Sequence, residues 1–132
     1  MPNPVLSDLR KATEGLLYSS ESDAPLEVLD WTKETGPMDG ARILRLGRLP
    51  PRTHVEIQSV EEFFQELTKA EDWHGDSEKE TVRKYRRLAE VIRDGLRSPK
   101  VFRAGKVNVD IFIVGSCIDG GWAGVKTKAV ET

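Results

Sequence analysis

Val5, Leu9, Ala12 and Leu16 recur at spacings of four, three and four, which is one stripe of an amphipathic helix. Gly15, near the end of that stripe, supplies a stop. The helical period returns twice. Val60, Phe63, Phe64 and Leu67 form the inward face of a second helix that ends near Lys69. Val82, Tyr85, Leu88, Ala89, Ile92 and Leu96 mark the longest one. Ser59-Val60-Glu61-Glu62 and Ser77-Glu78-Lys79-Glu80 each have the form of a capping box. In that motif the hydroxyl accepts from the backbone N–H three residues on, and the acidic side chain there reaches back. Pro99 is expected to end the longest helix, because the residue before a proline is pushed out of helical geometry.

Beyond residue 100 the period changes to two. Val107, Val109, Ile111 and Ile113 alternate, and Phe112 and Val114 make the opposite face apolar as well. A strand apolar on both faces implies layers on both sides of its sheet. Residues 101–104 and 107–115 read as a hairpin around Gly105-Lys106, and residues 123–130 as a last strand. Residues 26–31 read as a strand with Leu26 and Val28 facing one way, Leu29 and Trp31 the other. Residues 19–25 are rich in serine and acid and read as a loop. The pattern is weakest over residues 32–54, where Gly36-Pro37 and Asp39-Gly40 mark turns. There, Ile43-Leu44-Arg45-Leu46 reads as a short strand and Pro50-Pro51 closes the segment; His54-Val55-Glu56-Ile57 reads as another short strand. The expected fold is α+β: a mostly antiparallel sheet with helices on both faces, in a single domain spanning residues 1–132.

Composition narrows the class without naming a partner. The chain has 132 residues, 38% apolar and 32% charged, which suits one solvated globular core. No apolar run approaches the ~18 residues of a membrane span, and Met1-Pro2-Asn3-Pro4 lacks the basic, apolar-cored form of a signal peptide. A single cysteine, Cys117, excludes an internal disulfide. A cytoplasmic location is expected. The net charge of −2 is uninformative, but its distribution is not. Glu14, Glu21, Asp23, Glu27 and Asp30 crowd the first quarter, and Arg83, Arg86, Arg87, Arg93, Arg97 and Arg103 make the later segment basic.

Intrinsic catalytic or metal chemistry finds little support. Two histidines and one cysteine give no zinc spacing, and the acidic run from Asp72 to Glu80 lacks the oxygen and glycine pattern of a calcium loop. No intrinsic metal or cofactor is expected. Gly120-Gly121-Trp122-Ala123-Gly124 lacks the Lys-Ser/Thr ending of a phosphate-binding loop. Cys117 reads first as a small buried residue, with a thiol hydrolase as the enzyme-class alternative. Arg83, Arg86, Arg87 and Arg93 read first as the solvated face of the long helix, with nucleic-acid binding through the segment Arg83 to Arg103 as the alternative.

Three other places carry acid or oxygen beside turn chemistry. Glu21 sits among serines on a connection that must return from helix to strand. Asp72-Trp73 lies between two strongly capped helices, where a tryptophan either packs under the loop or anchors an interface. The last strand runs almost to Ala129-Val130-Glu131-Thr132. An end so close to a structural element is expected to be tethered, presenting a carboxylate and a hydroxyl that suit a hard divalent cation.

These pieces together resemble the nuclease A inhibitor family. The run Leu9-Arg10-Lys11-Ala12-Thr13-Glu14-Gly15-Leu16-Leu17-Tyr18-Ser19-Ser20-Glu21-Ser22-Asp23, followed by Glu27-Val28 and Trp31, is similar to that family's first helix and Ser-Glu-Ser loop. Ser59, Phe63-Phe64, Asp72-Trp73, Val91-Ile92, Asn108-Val109-Asp110 and the run Lys126-Thr127-Lys128-Ala129-Val130-Glu131-Thr132 match in order and spacing. Residues 32–54 depart from the pattern. The resemblance implies a three-layer α/β/α sandwich that inhibits a sugar-non-specific, Mg²⁺-dependent DNA/RNA endonuclease. It implies that Thr132 gives a hydroxyl oxygen to the Mg²⁺ of that partner, so that any metal contact is made in trans. It implies that Glu21 mimics the scissile phosphate and that Asp72 and Trp73 form a second contact. A monomer in isolation, with no enzyme activity and no membrane or direct nucleic-acid partner, goes with this picture.

Overall fold

The computed structural model describes residues 4–69, 75–118 and 120–131. In chain order its elements are α1 (Pro4–Thr13), β1 (Leu17–Ser19), β2 (Asp23–Pro25), β3 (Glu27–Trp31), α2 (Gly40–Leu46) and β4 (Val55–Ser59). Then follow α3 (Val60–Leu67), α4 (Asp76–Gly95), β5 (Arg97–Ala104), β6 (Asn108–Ser116) and β7 (Trp122–Val130). Strands β3, β7, β6, β5 and β4 lie in that order in one antiparallel sheet, and β1 and β2 form a separate hairpin. The fold is the α+β class expected.

The alternation in β6 sorts its side chains between two cores. Val109, Ile111 and Ile113 join residues of α1, α3 and α4 on one face, with Leu9, Leu88 and Ile92 fully buried there. Phe112 and Val114 join Ile43 and Leu44 of α2 on the other. Leu26 and Val28 belong to the first core, Leu29 and Trp31 to the second, as the strand reading requires. Each fully buried aliphatic or aromatic side chain contributes about 1.5–3 kcal/mol, so these two clusters dominate the stability.

Several local expectations are corrected. Residues 43–46 lie in a helix, not a strand: Asp39 caps it, its carboxylate accepting from the Arg42 N–H at 2.8 Å. The serine–glutamate box at Ser59 forms its first half, with the Glu62 N–H donating to the Ser59 hydroxyl at 3.1 Å. The second box does not form. The long helix starts at Asp76 with Gly75 as its cap, which leaves Ser77 inside the first turn. Pro99 does not end that helix either. Leu96 is already extended at φ −123° and is buried in the first core. Pro99 lies instead in β5, at the register irregularity between Arg97 and Lys100, where a missing N–H is tolerated. The helix has to leave room at Gly95, where an added Cβ would come within 2.6 Å of Val5 Cγ2. Residues 19–25 are not a plain loop but the end of β1, a tight tip and β2.

Candidate functional site

The β1–β2 hairpin carries Ser20-Glu21-Ser22 at its tip. Gly15, at φ +74°, ends the turn after α1 and aims the chain into β1. The tip closes on itself, with the Ser20 N–H donating to the Ser22 carbonyl at 2.9 Å. It is then fastened to the end of β7. The Val130 N–H donates to the Ser20 hydroxyl oxygen at 3.0 Å, and the Glu21 N–H donates to the Val130 carbonyl at 3.4 Å. Because the backbone and Ser20 make these bonds, the exposed Glu21 is displayed from a fixed base.

Two aromatic residues hold the base of the hairpin. The Tyr85 hydroxyl of α4 donates to the Leu17 carbonyl at 2.6 Å, and Tyr18 stacks on Phe63 of α3 with ring centroids 5.7 Å apart. Burial, and then the nearby Tyr18, push the Tyr85 pKa up, so this hydroxyl stays a donor. Tyr85→Phe removes it and is expected to cost about 1 kcal/mol. A urea midpoint indistinguishable from wild type would show that the bond does not matter.

The residue after β7 is held as well. The Glu131 N–H donates to the Val107 carbonyl at 2.8 Å, and its carboxylate pairs with Arg103 of β5. A shallow groove of about 410 Å³ runs beside the hairpin, lined in part by Ser22, Asp23, Asp110, Lys128 and Val130. A wider groove of about 540 Å³ lies between α3 and α4 over Val60, Phe64 and Ala89.

A family profile described as nuclease A inhibitor-like protein matches residues 3–132. The chain belongs to that family. No curated protein matches it significantly.

The Ser-Glu-Ser tip and the end of β7, two segments that the sequence resemblance picked out, are brought together by the fold. Of the four contact residues expected, Glu21 lies among the described residues; Asp72, Trp73 and Thr132 lie outside them. Thr132 follows Glu131 directly in the chain. Among the described residues no group of three or more His, Cys, Asp or Glu could hold a metal ion. No helix among them is long and apolar enough to cross a membrane.

The alternatives fare less well. Cys117 is 4% exposed and belongs to the first core. His54 sits beside Gly105, at the end of the ladder where β6 begins, whereas Cys117 follows the far end of β6. Register alone keeps this pair apart, and His74 lies outside the described residues. Several α4 arginines are engaged locally: Arg83 with Glu80, Arg87 with Glu90 at 3.8 Å, and Arg86 with the Thr68 carbonyl at 3.1 Å. That is the solvated, internally paired face expected of an amphipathic helix.

Two contributors to this site carried no sequence signal strong enough to single them out. Ser20 reads as one more loop serine, yet its hydroxyl links the tip to β7. Tyr85 reads as part of a core stripe. Only the need of a buried hydroxyl for a partner hints that it would reach another element.

Proposed function

We propose that this protein inhibits a sugar-non-specific, Mg²⁺-dependent DNA/RNA endonuclease by occupying its active site. Glu21 stands in for the scissile phosphate, and Thr132 offers a hydroxyl oxygen to the partner's Mg²⁺. Asp72 and Trp73 supply a second contact. The protein acts as a binding partner and not as an enzyme; the metal belongs to the nuclease, and the inhibitor alone is a monomer in the cytoplasm.

One observation supports this reading above the others: the tip that bears Glu21 is hydrogen-bonded to Val130, two residues before Thr132. A single cavity in a partner can receive two groups that start from one base. A phosphodiester-cleaving centre attracts negative charge and leaves metal positions open to substrate oxygen. A carboxylate and a hydroxyl on a rigid support can satisfy both needs while presenting no scissile bond. Docking then costs little ordering entropy.

The decisive experiment titrates this protein into a sugar-non-specific endonuclease and follows cleavage of DNA and RNA in parallel. Loss of both activities at a 1:1 ratio is the expected result. Trp73→Ala in the same assay is expected to raise the dissociation rate by roughly tenfold, as for an interface anchor. Unchanged dissociation would remove the second contact. Retention of the protein on a DNA resin, with no effect on any such nuclease, would replace the inhibitor reading by nucleic-acid binding.

A further inference from the structure

Arg103 lies in β5, opposite Ile111 of β6, and so faces the core that holds α1, α3 and α4. Its side chain is only 18% exposed. A guanidinium in that position needs acceptors. One is the carboxylate of Glu131, just past β7. The side chain of Tyr18 in β1, three residues before Glu21, adds to the stabilisation of its charge. Desolvation opposes the charge, but Glu131 and Tyr18 more than offset it, so the pKa of Arg103 is raised and the residue stays cationic.

We propose that Arg103 is a positioning residue for nuclease inhibition, fixing the Glu21 tip and the chain end relative to each other through Tyr18 and Glu131. The proposal rests on the inhibitor reading above. The geometry is that of a cross-brace. Ser20 and Glu21 bind the backbone of Val130, Val107 binds the backbone of Glu131, and Arg103 pairs with the Glu131 side chain while the nearby Tyr18 favours its charge. A planar guanidinium has donors enough for both neighbours at once, whereas an ammonium on a flexible stem is a single point charge. If the partner's cavity requires phosphate mimic and metal ligand at a set separation, looseness at this brace reappears as weaker inhibition.

The test uses the full chain carrying Arg103→Met, Arg103→Lys, and the paired exchange Arg103→Glu with Glu131→Arg. Two readouts are taken: amide hydrogen exchange of the free protein, and the inhibition constant against an endonuclease that the wild type inhibits. Arg103→Met is expected to speed exchange at Glu21, Val130 and Glu131 by roughly tenfold while the β5–β6 ladder keeps its protection. Inhibition should weaken by roughly tenfold in parallel. The paired exchange should recover part of both losses, and Arg103→Lys should fall between wild type and Arg103→Met. Unchanged exchange at those three amides overturns the proposal, as does faster exchange with full inhibition. A wild-type protein that inhibits no nuclease means that the inhibitor reading has failed. A wild type that inhibits, alongside an Arg103→Met variant that inhibits equally well, means that only the proposal has failed.

Discussion

Glu21→Ala is expected to weaken inhibition by a hundredfold or more, while leaving the fold intact. The size follows from what the side chain would do in the complex. A carboxylate that meets a cationic, desolvated centre contributes about 2–5 kcal/mol when its loss leaves the partner's charge unpaired. The fold should not notice, because the tip is fastened through the Glu21 N–H and the Ser20 hydroxyl, and the side chain is exposed. Glu21→Gln keeps the shape and removes the charge. It should therefore resemble the alanine variant if charge mimicry is the mechanism, and wild type if shape alone matters. Inhibition constants, with thermal unfolding as the control, decide the matter. An alanine variant that inhibits as well as wild type would end the phosphate-mimic account.

Extension of this chain past Thr132 by a short flexible tag should be as damaging. Mg²⁺ holds its oxygen ligands at about 2.0–2.1 Å and demands near-octahedral geometry. A ligand at that distance leaves no room for further residues inside a closed cavity. A loss of roughly a hundredfold or more is expected, comparable to truncating a buried charge contact. The same tag placed before Met1 should be harmless. Measuring both tagged forms against one nuclease separates a metal bridge from a general effect of tagging. Full inhibition by the form extended past Thr132 would remove the metal-bridge mechanism and leave Glu21 to be judged by its own substitution.

The hydrophobic pattern made much of the fold legible. Period two from Val109 to Ile113, with Phe112 and Val114 at the alternate positions, required a strand covered on both faces, and β6 sits at the centre of the sheet between two cores. The stripes of α1, α3 and α4 were equally clear, since most of the positions that their spacing picks out are buried, although Leu16 and Leu96 lie just past the helices and Leu67 is half-buried. Short apolar runs were not clear. Ile43-Leu44-Arg45-Leu46 is too brief for its period to separate strand from helix, and the Asp39 cap decided for helix. The end of α4 misled for a different reason. Pro99 forbids a helix through Ser98, but it cannot say how much earlier the helix stops. The chain in fact turns extended at Leu96, which is buried in the first core.

The candidate site divides in the same way. Its residue types were in the sequence: a glutamate between serines, an Asp-Trp pair and a threonine after an apolar strand, in an order that resembles one family. Membership of that family follows from the sequence alone, because a profile match reads residue order and nothing else. That the Glu21 tip rests on Val130, 109 positions further along by the sequence numbering, was decided only by the tertiary structure. So were the reach of Tyr85 to Leu17 and the pairing of Arg103 with Glu131. Local periodicity is a property of neighbours within a few positions. Hydrogen bonds between distant segments exist only after the cores have closed and brought those segments to one edge.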